Sequence, residues 1–298
     1  MPISRITTCE GGPTFSRIAQ GYASSSGWDY DADEMARFIE AGLDVGITTL
    51  DTAAIYGGGR AEMLLGDALE RHPALRDRVE IVTKCGIGTF GTSFPHYDAG
   101  KPSIIASVEE SLHRLRTDHV DALLIHRPSP LMDADEIADA FGELRASGKV
   151  LHFGVSNFTP SQFELLGSRL AFPLVTNEVQ FSPLYLDPYI NGTLDQCQRL
   201  RVSPMAWSPL ARGRLFTSDS EQAVRVRAEL AAVGAELGGA STDQVALAWV
   251  LRHPSNVVPI LGTGKTERVR AAAGADALDL SREQWLRVWV ASTGERLP

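Results

Sequence analysis

Residues 120–125 read VDALLI, residues 79–83 read VEIVT and residues 47–50 read ITTL. Each run is short and largely apolar, which is typical of a buried β-strand. Side chains with acid–base chemistry follow these runs, namely Asp51, Tyr56, Lys84 and His126. In neighbouring parallel strands, about 4.8 Å apart, groups at the carboxyl ends converge within roughly 5–10 Å. The sequence therefore predicts one small site that holds a carboxylate, a phenol, an ammonium and an imidazole.

Apolar runs and helical patterns alternate along the whole chain. The runs cover residues 15–21, 47–51, 79–84, 120–126, 152–156, 174–180, 202–207 and 257–261. Eight strands separated by helices are what a (β/α)8, or TIM, barrel requires. No linker or low-complexity stretch divides the chain, so we expect a single domain over residues 1–298.

Helix boundaries are marked by local chemistry. Asp31 lies three residues before Glu34, and Thr159 precedes Pro160, which favours a capped helix start at both places. Capping-box spacing recurs at residues 241–244 and 281–284, and residues 102–116 have an apolar face. Helices near 221–237, 242–253 and 282–294 are predicted as additional C-terminal helices around the barrel.

Residues 86–91 match the dinucleotide fingerprint GxGxxG, but their context argues against it. That motif binds pyrophosphate only where it opens a helix after a strand. Here two prolines, Pro95 and Pro102, follow it, and residues 92–101 have no helical period. We therefore predict a long loop over the barrel mouth at residues 86–101, and no Rossmann domain.

Charge and cysteine content exclude several classes of function. A formal net charge of −9 argues against general nucleic-acid binding, which needs a basic surface. No apolar run approaches the ~20 residues of a membrane span, and residues 1–21 do not resemble a secretory signal. The cysteines, Cys9, Cys85 and Cys197, are widely spaced, which indicates reduced thiols in a cytoplasmic protein. Most simply Cys85 is a packing residue, although a thiol beside Lys84 can be reactive. No metal site is predicted.

The four clustered groups fit proton delivery to a carbonyl oxygen. A tyrosine has a pKa of about 10, and a nearby Lys84 ammonium is expected to lower the pKa of Tyr56. Asp51 is expected to hold Lys84, and His126 to orient the substrate oxygen by a hydrogen bond. Taken singly, Asp51 and Lys84 also fit a structural ion pair. His152, at the start of a strand, lies on the face that serves barrel stability and receives no role.

Several motifs together resemble the aldo-keto reductase family, especially its short bacterial oxidoreductases. They are Asp51-Thr52-Ala53 with Tyr56-Gly57, the strand that ends in Lys84, Leu124-Ile125-His126-Arg127, Gly154-Val155-Ser156-Asn157-Phe158 and Trp207-Ser208-Pro209-Leu210. The resemblance covers essentially the whole chain. It implies a barrel that reduces an aldehyde or ketone with NADP(H), in which Tyr56 is the proton donor. It also implies a small-molecule carbonyl substrate and a monomer.

The same resemblance implies a set of cofactor-binding residues. Ser156, Asn157 and Glu178 correspond to residues that hold the nicotinamide carboxamide, and Trp207 to the aromatic residue that stacks on its ring. The family's pyrophosphate-binding loop corresponds in this chain to Ser208, Leu210, Arg212 and Gly213. The segment that binds the adenosine and its 2′-phosphate corresponds to Gly262, Thr263, Lys265 and Arg268. Arginine suits phosphate recognition, so NADPH is expected over NADH.

The chain departs from the family pattern at two places. Residues 177–180 read NEVQ where much of the family has Asn-Gln-Val-Glu, so Glu178 replaces a glutamine. A carboxylate accepts a hydrogen bond from an amide nitrogen but cannot donate to its oxygen. Gly262 replaces a frequent lysine, and Ala271-Ala272 replaces a Glu-Asn pair.

The substrate and two rival functions stay open at the level of sequence. Trp28, Phe90, Phe94 and Tyr97 lie in loops that can line a partly apolar pocket. One rival is a cofactor-sensing regulatory subunit on the same fold with little turnover. The other is a barrel lyase or isomerase in which Lys84 forms a Schiff base.

Overall fold

The computed structural model describes residues 2–88 and 94–296. Its strands in chain order are β1 (Arg5–Thr7), β2 (Thr14–Ser16), β3 (Ala19–Gly21), β4 (Thr49–Asp51), β5 (Glu80–Cys85), β6 (Ile87–Gly88), β7 (His96–Tyr97), β8 (Val120–Ile125), β9 (Val150–Ser156), β10 (Leu174–Gln180), β11 (Met205–Trp207) and β12 (Val258–Leu261). A closed barrel forms in the order β10-β11-β12-β3-β4-β5-β8-β9, and every neighbouring pair is parallel. This confirms the predicted (β/α)8 barrel.

Helices surround the barrel and continue to the end of the described chain. They are α1 (Ala32–Leu43), α2 (Arg60–Arg71), α3 (Lys101–Leu115), α4 (Ala134–Ala146), α5 (Pro160–Gly167), α6 (Asp187–Ile190), α7 (Thr193–Leu200), α8 (Arg214–Thr217), α9 (Glu221–Glu236), α10 (Thr242–Leu251), α11 (Thr266–Ala273) and α12 (Arg282–Thr293). The additional helices α9, α10 and α12 lie where the sequence predicted them. Across residues 2–88 and 94–296, no helix is long and apolar enough to cross a membrane.

Predicted caps begin several of these helices. The Asp31 carboxylate accepts a hydrogen bond from the Glu34 N–H at 2.8 Å, and Glu34 accepts one from the Asp31 N–H at 2.9 Å. The same reciprocal arrangement opens α5, α10 and α12. Each pair satisfies backbone donors that have no partner inside the helix, so the start of the helix is defined by sequence.

The first apolar run, residues 15–21, forms two elements instead of one strand. Residues 14–16 form β2, which pairs antiparallel with β1, and only residues 19–21 enter the barrel as β3. The Phe15 side chain is fully buried in a cluster inside the barrel with Val82, Leu124 and Met205. An apolar run does not show where the chain turns. The sequence therefore predicted one strand where Phe15 belongs to β2 and residues 19–21 form the barrel strand β3.

Strand alternation separates an apolar floor from a polar layer above it. On β5, Val82 belongs to the cluster inside the barrel, whereas Ile81 and Cys85 pack among the surrounding helices. Lys84, two residues beyond Val82, faces the interior and is fully buried. The ammonium therefore lies one layer above a floor of packed apolar side chains.

The loop that contains GxGxxG is not the start of a dinucleotide-binding helix in its described part. Strands β6 and β7 pair antiparallel, with Ile87 opposite Tyr97. The next helix, α3, begins only at Lys101. Residues 89–93, including the predicted pocket residue Phe90, lie outside the described residues.

Candidate active site

The predicted acid–base residues lie together at the carboxyl ends of β4, β5 and β8. The Lys84 ammonium donates to Asp51 Oδ1 at 2.6 Å and to the Thr52 carbonyl oxygen at 2.9 Å. Its nitrogen also lies 3.4 Å from the Tyr56 hydroxyl oxygen. The ring centroids of Tyr56 and His126 are 5.6 Å apart, with the ring planes at 83°. A phenol, an ammonium and an imidazole thus surround one small space.

Glycines after Tyr56 fix its position. Tyr56–Gly59 forms a 3-10 turn in which Gly57 and Gly58 have φ angles of 58° and 68°. A Cβ atom on Gly57 would lie 2.3 Å from the Cβ of Ser26, so a larger residue cannot fit without a backbone shift. The turn is therefore held close to the loop after β3, with the phenol above Lys84.

Glu178 makes a contact that sequence reasoning missed. Its Oε2 lies 3.2 Å from Lys84 Nζ, and the Asp51 carboxylate is close enough to raise the pKa of Glu178. Both carboxyl groups and the ammonium are buried. The available signal was the replacement of the family's glutamine, but a residue type alone does not say which neighbour it contacts. The structure therefore contains two carboxyl groups on one ammonium.

Burial and charge determine the protonation of this cluster. Burial lowers the pKa of Lys84, but the Asp51 and Glu178 carboxylates outweigh it and leave the pKa above its usual range. Burial first, then the nearby Asp51 charge, raise the pKa of Glu178 to about 8 against the opposing effect of Lys84. Burial likewise raises the pKa of Asp51, which the contact with Lys84 opposes. The cluster is closest to neutral with Lys84 charged and one carboxyl group protonated.

The pKa of the Tyr56 phenol differs from the sequence-based expectation, which was a lowered value. Burial raises the pKa of Tyr56 above its usual value, and the Lys84 charge only partly lowers it. The expected lowering by Lys84 is present as one contribution, but desolvation is larger because Tyr56 lies deep in the mouth. Burial first, then the charges of Lys84 and Arg127, lower the pKa of His126 to about 3. His126 is therefore a neutral imidazole around neutral pH, with a buried Nδ1 that has no partner among the described residues.

A hydrogen-bond network joins four adjacent strand ends beside this cluster. The Ser156 hydroxyl and the Asn157 N–H both donate to the Glu178 carbonyl oxygen, at 2.9 and 2.8 Å. The Asn157 amide donates to Ser156 Oγ at 2.8 Å and to the His126 carbonyl oxygen at 3.3 Å. Trp207 Nε1 donates to Asn157 Oδ1 at 3.0 Å. The residues that correspond to the nicotinamide site thus form one connected shelf.

The loop after β11 has an unusual backbone. Left-handed φ angles occur at Ser208 (52°), Ala211 (52°), Arg212 (55°) and Gly213 (81°). Leu210 precedes the 3-10 turn Ala211–Gly213 and is partly buried. Turns of this kind direct successive backbone N–H groups to one side and form concave anion sites. The Arg212 guanidinium also lies 5.6 Å from the centre of the Trp207 ring. The Ala211 and Gly213 N–H groups donate within the turn, to the Ser208 and Leu210 carbonyl oxygens. The feature of the loop that suits a pyrophosphate is therefore the Arg212 charge.

A basic, open segment lies between β12 and α11. Gly262 is exposed, and a Cβ atom there would meet nothing within 4 Å. The Thr263 hydroxyl oxygen accepts from the Lys265 N–H at 3.1 Å, which shapes the approach to α11. Lys265 and Arg268 are both exposed. Two cations at an open helix start are chemically suited to a phosphate group.

Trp28 lies beside this segment. Its ring packs in an aromatic cluster with Tyr22, Tyr30 and Phe38. A Cβ atom on Gly264 would lie 2.6 Å from the Trp28 indole, and the Tyr30 hydroxyl donates to the Gly264 carbonyl oxygen. Trp28 thus supports the loop that corresponds to the adenosine site.

The other predicted pocket residues that are described lie at the rim. Phe94 is 74% exposed and Tyr97 is 47% exposed, so neither fills a closed pocket in this structure. Arg127, to which the sequence assigned no role, lies 5.8 Å from the centre of the Trp207 ring. A basic residue directly after His126 was its only signal. Burial raises the pKa of the Cys85 thiol to about 12, which fits a packing residue.

The fold and the clustered acid–base groups define a barrel enzyme. The model of the aldo/keto reductase family matches residues 17–289. The chain is 53% identical over 299 residues to the oxidoreductase YdhF of Escherichia coli, covering 99% of this chain and 100% of that protein. It is 48% identical over 264 residues to the 6-dehydroglucose reductase of Agrobacterium fabrum, covering 87% and 88%.

A solved structure agrees in fold. The crystal structure of the thermostable aldo-keto reductase Tm1743 with the inhibitor epalrestat matches with a TM-score of 0.83 at 29% identity, covering 97% of this chain and 100% of that one. The chain belongs to the aldo/keto reductase family. It is an NAD(P)H-dependent oxidoreductase that acts on a small molecule.

Proposed function

We propose that the protein reduces an aldehyde or ketone to an alcohol with NADPH, and that Tyr56 donates the proton. The observation that supports this most directly is the 3.4 Å separation between the Tyr56 hydroxyl oxygen and Lys84 Nζ, inside a buried cluster. When bound, the cofactor supplies the hydride. The residues of this chain then have to position the carbonyl group and supply one proton to its oxygen.

Each residue of the cluster has a distinct part in that proton transfer. As Tyr56 loses its proton, the phenolate gains an attractive contact with the Lys84 ammonium, which offsets part of the desolvation cost. Asp51 fixes Lys84 through the 2.6 Å hydrogen bond. The neutral His126 ring donates one hydrogen bond to the carbonyl oxygen and does not compete as a proton source, because its pKa is low.

The surrounding residues fit a nicotinamide dinucleotide phosphate. The Ser156 and Asn157 shelf offers polar groups for the carboxamide, and the Trp207 indole offers a flat face for the ring. The left-handed loop at 208–213 supplies the Arg212 charge for the pyrophosphate. Lys265 and Arg268 are assigned to the 2′-phosphate, which favours NADPH over NADH.

We propose a small polar aldehyde as the substrate. One relative is named a 6-dehydroglucose reductase, which directs attention to sugar-derived aldehydes. Arg127 at the mouth gives this chain a donor for hydroxyl or anionic groups. Phe94 and Tyr97 at the rim make aromatic aldehydes the competing class of substrate. A panel of both classes, followed by NADPH absorbance, separates the two.

The decisive experiment is Tyr56→Phe. Loss of a general acid reduces kcat by about 10²–10⁴-fold, whereas NADPH binding measured by tryptophan fluorescence should stay near that of the wild type. Tyr189→Phe is the matched control, because Tyr189 lies on α6 and packs against Trp289. Unchanged turnover in Tyr56→Phe excludes the assignment. NADPH binding without aldehyde-dependent oxidation in the wild type would favour the regulatory-subunit alternative.

We also propose that the chain acts as a single-domain monomer in the cytoplasm. The three cysteines are all buried free thiols, as expected in a reducing compartment. Light scattering after size exclusion should give the mass of one 32.2 kDa chain. A mass of two chains or more contradicts the monomer.

A further inference from the structure

The polar layer of the barrel holds more ionisable groups than proton transfer to a carbonyl needs. Lys84 already has Asp51 as its partner at 2.6 Å, and Thr52 accepts a second hydrogen bond. Glu178 nevertheless places Oε2 at 3.2 Å from the same ammonium. That oxygen is buried and has no aligned hydrogen-bond donor among the described residues. Glu178 is therefore a second carboxyl group beside Lys84, whose ammonium already donates hydrogen bonds to Asp51 and Thr52.

The charge of this layer is unbalanced if every group ionises. One ammonium and two carboxylates sum to one net negative charge, in a place from which water is excluded. Burial of an uncompensated charge is strongly unfavourable, and such a group binds a proton instead. Asp51 has the shorter contact with Lys84, so Glu178 is the group that retains the proton. The Asp51 charge beside it further opposes the ionisation of Glu178.

Within residues 2–88 and 94–296, no positive group other than Lys84 faces Glu178. The neighbouring strands β9 and β11 place Ser156 and Met205 opposite it, and neither ionises. The titratable groups that face it are Asp51 from β4, Lys84 from β5 and, above Lys84, Tyr56. Of these only Lys84 is positive, and it is shared with Asp51.

We infer that Glu178 is a positioning residue of the proton-donating cluster, that it is a neutral acid at neutral pH, and that its ionisation sets the upper pH limit of carbonyl reduction. This inference rests on the proposed reduction. As a neutral acid, Glu178 leaves the Lys84 charge available to the Tyr56 phenolate. As a carboxylate, it places a second negative charge beside Lys84 and makes Tyr56 a weaker proton donor.

The direction of the effect follows from the charges around the phenol. The pKa of Tyr56 is raised first by burial and, after the opposing effect of Lys84, further by negative Asp51 and Glu178. Because the pKa of Glu178 is raised to about 8, its ionisation falls within an accessible pH range. Loss of activity that depends on one ionisation approaches about tenfold per pH unit above that pKa.

The test is the pH dependence of kcat/KM for Glu178→Gln against the wild type. Glutamine keeps the shape and cannot ionise, so each enzyme is compared with itself at about pH 6.5 and about pH 9.5. The wild type should lose about 10- to 30-fold between these values, and Glu178→Gln about threefold or less. Glu62→Gln is the matched control, because Glu62 is a buried carboxylate held by Arg114 and Thr83 away from the mouth. Its profile should follow the wild type.

A second measurement needs no turnover. The infrared band of a protonated carboxyl group should be present in the wild type near neutral pH, disappear on titration to higher pH, and be missing in Glu178→Gln. Parallel pH profiles for wild type and Glu178→Gln, or a wild type without that band, overturn the inference. A titrating band in an enzyme without turnover supports the neutral carboxyl group and overturns the proposed reduction instead.

Discussion

Removal of the Lys84 charge tests how the buried cluster is held together. In Lys84→Met the side chain keeps a similar length, but Asp51 and Glu178 lose their shared cation in a buried layer. Loss of one partner of a buried ion pair destabilises a protein by about 3–5 kcal/mol. The variant should reduce this loss by protonating Asp51 as well as Glu178. The folded wild type does not bind the proton on Asp51.

That extra proton gives the prediction a pH dependence. The unfolded Asp51 ionises near pH 4, whereas the folded variant keeps its proton, so stability falls by about 1.4 kcal/mol per pH unit above that value. Between about pH 4.5 and about pH 7 the difference from wild type should therefore grow by about 3 kcal/mol. In the wild type, the pKa of Lys84 is raised on folding, so its stabilisation is complete below about pH 10 and constant over this range.

Urea unfolding followed by tryptophan fluorescence at several pH values measures this difference. Lys149→Met is the matched control, because Lys149 pairs with Glu109 at the surface and its side chain is 38% exposed. An exposed pair contributes about 0–1 kcal/mol, with little change over this pH range. A Lys84→Met destabilisation that is independent of pH, or as small as that of Lys149→Met, refutes the account of the cluster.

Two further predictions concern the cofactor and the packing of the barrel. Arg268→Ala should weaken NADPH binding by about 10- to 100-fold, the worth of one charge-assisted hydrogen bond, and leave NADH binding nearly unchanged. Arg270→Ala on the same helix is its control, and equal losses for both cofactors exclude a 2′-phosphate contact. Gly66→Ala should destabilise the fold by about 1–3 kcal/mol, because the new Cβ would lie 2.0 Å from the Arg114 carbonyl oxygen. Gly142→Ala, also helical but with nothing within 4 Å, should instead stabilise it by about 0.5–1 kcal/mol, and equal urea midpoints for the two variants contradict this reasoning.

The strands and several helix starts were predictable because their causes are local. An apolar run of strand length needs only its own residues to be recognised, and each of the eight runs overlaps a barrel strand. The reciprocal bonds of Asp31 and Glu34 join residues three apart, so spacing alone reveals them. The antiparallel pairing of residues 5–7 with 14–16 was missed, because it depends on where the chain turns.

The site was predictable only as a set of residue types. Strand ends predicted that Asp51, Lys84 and His126 would meet, since parallel strands bring their carboxyl ends together. The raised pKa of Tyr56 was not predictable, because it depends on how much protein surrounds the phenol, and that is a property of the folded barrel. The contact between Glu178 and Lys84 joins residues that are far apart in the sequence. No local sequence pattern could therefore have predicted it.

Glu178 connects the Lys84 cluster to the shelf of Ser156 and Asn157 through its two ends. Its backbone oxygen accepts from Ser156 and Asn157, while its carboxyl group contacts Lys84 and Asp51. A cofactor that moves Asn157 would therefore shift β10 and change the distance between Glu178 and Lys84. Because electrostatic contributions in a buried layer vary steeply with distance, a small displacement changes the proton affinity of the cluster. Cofactor binding should accordingly shift the infrared titration of Glu178, and an identical titration with and without NADPH would show that the shelf and the proton donor are independent.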